Sequence, residues 1–164
     1  MQISQSAGYA IHGLLFLHVF GDGKPVQLNQ IAKGLRVSES YLSKIFQTLA
    51  KSSLVSSFRG AKGGFILVKP AVDITLREVI EMIDGPIIQA KCCIGRPNCN
   101  ERDKCNVFAM FYELQKTIYD SLENICVVDL NASFFEPEHA TTPAKQLKQA
   151  KKSKPDDQER GAMG

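Results

Sequence analysis

The spacing of apolar and polar positions predicts three helices in the first third of the chain. Apolar residues surround most of the helical wheel between residues 3 and 20, so we expect a largely buried first helix that stops at residues 21–23. A short second helix follows over residues 28–35. The third helix is amphipathic, because an i, i+3, i+4, i+7 stripe is formed by Leu42, Ile45, Phe46 and Leu49.

The third helix carries a polar face opposite this stripe. Ser38 precedes the helix and is a good N-cap, since its hydroxyl can accept a hydrogen bond from a free amide of the first turn. The side chains of the polar face are small, polar or basic: Ser40, Tyr41, Ser43, Lys44, Gln47 and Lys51. Two helices joined by a short turn are typical of a helix-turn-helix, although many helical bundles contain the same pattern.

Two short apolar runs, residues 54–58 and 65–68, predict a β-hairpin after the third helix. The connection Arg59-Gly60-Ala61-Lys62-Gly63-Gly64 supplies glycine where a tight hairpin requires positive φ, and it is basic. Helix, turn, helix and basic hairpin in this order predict a winged helix-turn-helix, and the wing is what favours DNA binding.

The second half of the chain predicts two more helices. Thr75-x-x-Glu78 is a capping-box sequence that opens a fourth helix, which ends at Gly85-Pro86. From Val107 a longer helix carries a wide aromatic and aliphatic face that one small domain cannot easily cover. A symmetric homodimer through this helix is therefore predicted.

The predicted fold class is mainly α with a small β-hairpin wing: a winged helix-turn-helix plus a long dimerisation helix. The expected domain boundaries are 1–84 for the DNA-binding domain, 85–105 for a cysteine cluster loop and 106–135 for the dimerisation helix region. Cys126 is expected late in the long helix, as a small buried apolar residue. Residues 136–164 have few apolar side chains and predict a disordered tail.

Charge is unevenly distributed along the chain. The net charge is only +3, but residues 24–70 carry eight Lys or Arg and the single acid Glu39, a net charge of +7. Residues 71–140 carry six bases and twelve acids, a net charge of −6. A merely solvated face would mix both signs, so the basic segment indicates a polyanion partner.

Cysteine use and hydropathy indicate a reducing compartment. The chain has five cysteines and no basic, apolar leader, which argues against a disulfide framework and for the cytoplasm. No apolar run approaches the about 18 residues that would cross a membrane, so no membrane partner is expected.

Three cysteines at even spacing, Cys93-x5-Cys99-x5-Cys105, lie in a polar loop between the last two helices. A structural zinc site normally closes with four protein ligands. Iron–sulfur clusters are held by thiolates and tolerate replacement of one cysteine by another ligand. Three cysteines therefore favour a cluster with one weaker ligand, and the alternative is free thiols in a cytosolic protein.

Residues 1–135 resemble the IscR/NsrR-type family of winged-helix transcription regulators. The matching features are MQIS with Tyr9-Ala10, VSESYLSKIFQTLAKSSLV, SFRGAKGGFIL, DITLREVIEMIDG and the three-cysteine loop before the last helix. The resemblance implies a homodimer that binds inverted-repeat promoter DNA and holds a 2Fe–2S or 4Fe–4S cluster sensing nitric oxide, redox state, iron or cluster supply. It implies a repressor whose cluster ligands include Cys93, Cys99 and Cys105.

The resemblance also assigns DNA-contacting residues. In the recognition helix these would be Ser38, Ser40, Tyr41, Ser43 and Lys44. In the wing they would be Arg59, Lys62, Gly63 and Gly64. Hydroxyl groups can bond base edges or phosphates, whereas the basic side chains act by charge and the glycines by close approach.

The fourth cluster ligand departs from the family pattern. Family members use a histidine three residues after the last cysteine, where this chain has Phe108, or a carboxylate at position 8, where it has Gly8. The candidates here are Cys92, beside the first ligand, and His12, one helical turn from Gly8. An exogenous thiol, water or another residue is the further alternative.

Two other functions stay open on the sequence. One is a metal-free regulator of the same fold with Cys92 or Cys93 as an oxidisable thiol switch. The other is an iron–sulfur carrier or electron-transfer protein, against which the basic segment counts. An enzyme is not expected, since the chain shows no nucleophile–base set, phosphate loop or zinc-hydrolase motif.

Overall fold

The structure, a computed structural model, describes residues 3–60, 63–88 and 104–135. Within these ranges the predicted class, mainly α with one hairpin, is confirmed. The helices and strands follow in the order α1 (Gln5–Phe20), α2 (Leu28–Gly34), α3 (Glu39–Lys51), β1 (Val55–Phe58), β2 (Gly64–Leu67), α4 (Leu76–Asp84) and α5 (Asn106–Glu123). Short 3₁₀ turns occupy Ala71–Asp73, Val127–Asp129 and Ala132–Phe134.

Helix α1 is the centre of the core. The Ser4 hydroxyl caps it by accepting from the amide of Ala7 at 3.1 Å. Residues from every turn of α1 are buried, which fits the apolar positions around its wheel. Gly13 lets α3 approach closely, because a Cβ atom there would lie 2.7 Å from the ring of Phe46.

The helix-turn-helix forms as the sequence predicts. Helix α2 ends at Gly34, and Arg36 takes a left-handed conformation with φ 53° in the turn. Ser38 then caps α3 by accepting from the amide of Tyr41 at 3.4 Å. The four residues of the predicted apolar stripe are all buried, so the polar face of α3 turns outward.

The hairpin lies against this helix pair. Strands β1 and β2 are antiparallel, with Val55 opposite Leu67 and Phe58 opposite Gly64. Val26, just before α2, extends the pairing through reciprocal backbone hydrogen bonds with Phe65 of 2.8 and 2.9 Å. The base of the wing is thereby attached to the start of α2.

The chain returns to the core after α5. Val127 and Phe135 are buried, and the ring of Phe135 meets that of Phe16 on α1 edge-to-face at 5.2 Å. The expectation that Cys126 lies in the long helix is wrong, because α5 ends at Glu123. Cys126 instead pairs with Thr75 as an isolated β-bridge and is half-buried, and this burial raises the pKa of its thiol.

Candidate DNA-binding face and sensor segment

The exposed face of α3 and its N-cap carry four of the nine predicted DNA contacts. Ser38, Ser40 and Lys44 are exposed, and Ser43 is half-buried. The Ser43 hydroxyl accepts a hydrogen bond of 3.4 Å from the side-chain Nε2 atom of Gln47. These groups can donate to phosphates or base edges. The structure thus brings them together on one surface, as the helical spacing predicts.

Tyr41 differs from the other predicted contacts. Its side chain is half-buried, and its hydroxyl lies 2.8 Å from that of Ser6 on α1. Its ring also meets the ring of Tyr9 edge-to-face, with the centroids 5.8 Å apart. Tyr41 therefore contacts α1 as well as standing on the recognition helix.

The wing places Arg59 on the surface beside the helix-turn-helix. The turn is closed by a hydrogen bond of 2.8 Å from the amide of Gly63 to the carbonyl of Gly60. Gly64 permits a close backbone approach, because a Cβ atom there would lie 2.3 Å from the carbonyl oxygen of Val26. Lys62, also a predicted contact, lies outside the described residues.

A groove of about 290 Å³ separates the wing from the helix pair. On the helix side it is lined by Gln27, Leu28, Asn29 and Glu39, and on the wing side by residues that include Ser57 and Phe58. The carboxylate of Glu39 in this groove would be repelled by DNA phosphates, but it could accept a hydrogen bond from the amino group of a cytosine base.

The predicted cysteine cluster loop, residues 85–105 (the sensor segment), is described only at its two ends, residues 85–88 and 104–105. Cys105 is the N-cap of α5, and its sulfur accepts a hydrogen bond from the amide of Phe108 at 3.4 Å. The other predicted ligands, Cys92, Cys93 and Cys99, lie outside the described residues. Within residues 3–60, 63–88 and 104–135, no three His, Cys, Asp or Glu side chains form a metal-binding group.

His12 lies half-buried on α1, one turn after Gly8. Its Nδ1 atom is 2.8 Å from the Gly8 carbonyl oxygen. The space around Gly8 is open, since an added Cβ atom would have nothing within 4 Å. A ring held by a backbone carbonyl is the arrangement that orients histidine ligands in metal sites.

One group between the start of α4 and the end of α5 was not predicted from the sequence. Arg77 of α4 donates a hydrogen bond of 2.7 Å to Glu81 on the same helix. Its Nε and Nη2 atoms donate to Glu123 of α5. The guanidinium group also lies over the ring of Tyr119, with Cζ 4.9 Å from the ring centroid. Glu81 also accepts from the amide of Ile87 at 3.0 Å. The i, i+4 pair Arg77–Glu81 could have been found by spacing, but Glu123 could not.

A protein-family model matches residues 3–133, and it describes the Rrf2 family of iron-dependent transcriptional regulators. The chain belongs to the Rrf2 family. The HTH-type transcriptional regulator IscR of Escherichia coli O1:K1 / APEC is 34% identical over 130 residues, which cover 79% of this chain and 80% of that protein. This Rrf2 protein is therefore a DNA-binding transcription regulator and not an enzyme.

Solved structures resemble this Rrf2 chain over most of its length. The global cysteine regulator CymR (YrzC) of B. subtilis superposes with a TM-score of 0.68 at 24% identity, over 83% of this chain and all but 1% of CymR. The structure of T. potens IscR superposes with a TM-score of 0.60 at 26% identity, over 79% of this chain and 85% of that one. None of the described helices is long and apolar enough to cross a membrane.

Proposed function

We propose that this Rrf2 protein is a homodimeric repressor whose promoter binding is controlled by an iron–sulfur cluster. Cys93, Cys99 and Cys105 supply three ligands, and His12 or Cys92 supplies the fourth. The dimer binds an inverted repeat through α3 and the wing. The observation that supports the proposal is the position of Cys105, a predicted cluster ligand, at the N-cap of α5.

The dimer is supported by the surface of α5. None of the 18 residues of this fully described helix is buried. Its first half exposes a stripe at i, i+3, i+4 and i+7, formed by Val107, Met110, Phe111 and Leu114. Its second half packs on its own core through Ile118, Tyr119 and Leu122. In a two-fold dimer the α5 helices of the two subunits would face each other, and each apolar stripe would be covered by the same stripe of the partner.

Two described residues support a cluster at the sensor segment. The sulfur of Cys105 already accepts a backbone amide, and hydrogen bonds to sulfur are among the interactions that tune cluster potentials. For His12, the contact of its ring with the Gly8 carbonyl supports its place among the candidates for the fourth ligand, beside Cys92. When bound, the cluster would supply redox and ligand-exchange chemistry, and His12 or Cys92 would be its weaker, replaceable ligand.

The chain's own residues couple the sensor segment to DNA. The segment follows α4 and precedes α5, so a cluster ties the ends of these two helices to one rigid object. Without a cluster, the ends of α4 and α5 would lose this constraint, and the separation of the two recognition helices would change. A ligand shifts such an equilibrium only by its differential affinity for the two states.

Alanine variants of the cysteines test the proposal. The protein is purified anaerobically, its visible spectrum is recorded, and its affinity for a duplex selected by the wild type from a random pool is measured. Cys93→Ala, Cys99→Ala and Cys105→Ala should each abolish the chromophore and change affinity at least about tenfold, about 1.4 kcal/mol. Cys126→Ala should do neither, because Cys126 lies beside Thr75, beyond the end of α5.

The alternatives give different results in the same experiment. A colourless wild type whose affinity changes with oxidant indicates the thiol switch at Cys92 or Cys93. A coloured protein that shifts no duplex at low salt indicates a carrier. Coloured Cys99→Ala protein that binds DNA like the loaded wild type contradicts the sensing model.

A further inference from the structure

The first turn of α1 contacts two distant parts of the fold through two serines. Ser6 contacts the recognition helix, where the hydroxyl oxygens of Ser6 and Tyr41 are 2.8 Å apart. Ser4 contacts the end of α4, where Asp84 accepts from the Ser4 amide at 2.8 Å and from the Ser4 hydroxyl. The turn is therefore held from both sides.

Tyr41 is directed toward this turn by more than one interaction. The edge-to-face contact with Tyr9 fixes the plane of its ring, and the bond to Ser6 fixes its hydroxyl. Its half-buried side chain contrasts with the exposed side chains of Ser40 and Lys44 on the same helix. A tyrosine held by ring packing and by a hydroxyl bond keeps one orientation relative to α1.

We propose that Tyr41 is a positioning residue: through Ser6 it sets the angle of α3 on the core instead of reading DNA with its hydroxyl. The inference rests on the proposed placement of α3 in the major groove. Specific contacts depend on this angle, because base edges accept hydrogen bonds only in narrow geometries. Non-specific attraction depends on charge and does not need the same precision.

A double-mutant cycle separates positioning from direct contact. Tyr41→Phe, Ser6→Ala and the double variant are compared for affinity to the duplex selected by the wild type and to a scrambled duplex of equal length. Each single variant should weaken specific binding about three- to tenfold, the effect of one hydrogen bond. The double variant should be no weaker than either single one, because both remove the same bond.

Two serine variants and one lysine variant provide the controls. Ser6→Thr keeps the hydroxyl and should retain wild-type affinity. Ser121→Ala should change nothing, since its hydroxyl bonds the Thr117 carbonyl of its own helix at 2.8 Å. Binding to the scrambled duplex should equal that of the wild type for every serine and tyrosine variant. Lys44→Ala should weaken binding to both duplexes, because it removes a charge from the exposed face of α3.

The outcomes distinguish this inference from the proposed function. If Tyr41→Phe weakens specific binding and Ser6→Ala does not, the Tyr41 hydroxyl contacts DNA directly and the inference is overturned. Additive losses in the double variant overturn it as well. If Lys44→Ala leaves binding to both duplexes unchanged, the placement of α3 in the groove fails, and the positioning role fails with it.

Discussion

Arg77 and Glu123 join α4 to the end of α5 by a two-point ion pair. Nε and Nη2 of Arg77 donate to the two carboxylate oxygens of Glu123, and the second of these distances is 3.3 Å. Thr75 also donates to Glu123, at 3.2 Å. Because Arg77 lies in the first turn of α4 and Glu123 is the last residue of α5, the pair joins the ends of these helices that lie away from the segment between them.

This pair predicts a pH-dependent contribution to stability. The hydrogen bond from Arg77 lowers the pKa of the Glu123 carboxyl, so folding favours the ionised form. A carboxyl group whose pKa is lower in the folded state stabilises the fold at pH values above its unfolded-state pKa, about 4.3 for glutamate. This stabilisation is lost as the pH falls through the lower folded-state pKa. Glu123→Gln should therefore melt below the wild type at neutral pH, and the difference in Tm should shrink below about pH 4.

The exposed pair Lys116–Asp120 is the matched control on the same helix. Its atoms are 3.0 Å apart and both side chains are more than half exposed. Exposed i, i+4 pairs contribute little. Asp120→Asn should leave the Tm unchanged at neutral pH. If Asp120→Asn and Glu123→Gln lowered the Tm equally, the Arg77–Glu123 pair would contribute no more than an exposed pair.

The segment after α5 should be needed for the stability of the DNA-binding core. Phe135 is 5% exposed and packs on Phe16 and Phe20 of α1. Phe135→Ala should lower the free energy of unfolding by about 3–5 kcal/mol, the usual loss for a buried aromatic ring. Urea denaturation measures it. Val72→Ala, at a residue 58% exposed, should stay within about 0.5 kcal/mol.

The wing should contribute by charge. Arg59 is exposed at the end of β1, where it can reach a phosphate. Arg59→Ala should weaken binding to specific and scrambled duplexes alike, and the plot of log affinity against log salt should become shallower by about 0.9 per subunit. Fluorescence anisotropy at several salt concentrations measures this slope. An unchanged slope would show that the wing assignment is wrong, and Lys116→Ala serves as the charge-matched control.

A carboxylate introduced at position 8 should replace His12 as a ligand. An added side chain at Gly8 meets nothing within 4 Å, and His12 lies one turn away with its Nδ1 atom on the Gly8 carbonyl. His12→Ala should lose its chromophore to a chelator faster than the wild type. The double variant Gly8→Asp/His12→Ala should regain resistance to the chelator, whereas Gly8→Asn/His12→Ala should not. Wild-type resistance in His12→Ala would instead favour Cys92 as the ligand.

Local sequence patterns determine the elements of this protein. Helix periodicity places the buried stripe of α3, the Ser38 hydroxyl starts that helix, and the glycines of residues 60–64 turn the hairpin. These signals act over a few residues, so they can be read without knowing the fold. The polar face of α3 follows directly, and with it several of the candidate DNA contacts.

Only the tertiary structure decides which distant side chains become partners. Thr75 accepts the Glu78 amide as its capping sequence predicts, but the Glu78 carboxylate pairs with Lys69 at 2.6 Å. Tyr41 meets Ser6 across 35 residues, and Arg77 meets Glu123 across 46. Such contacts depend on how helices pack around α1, and no local pattern specifies that packing. The sequence by itself therefore determined the recognition helix and wing, while the packing decided what holds them in place.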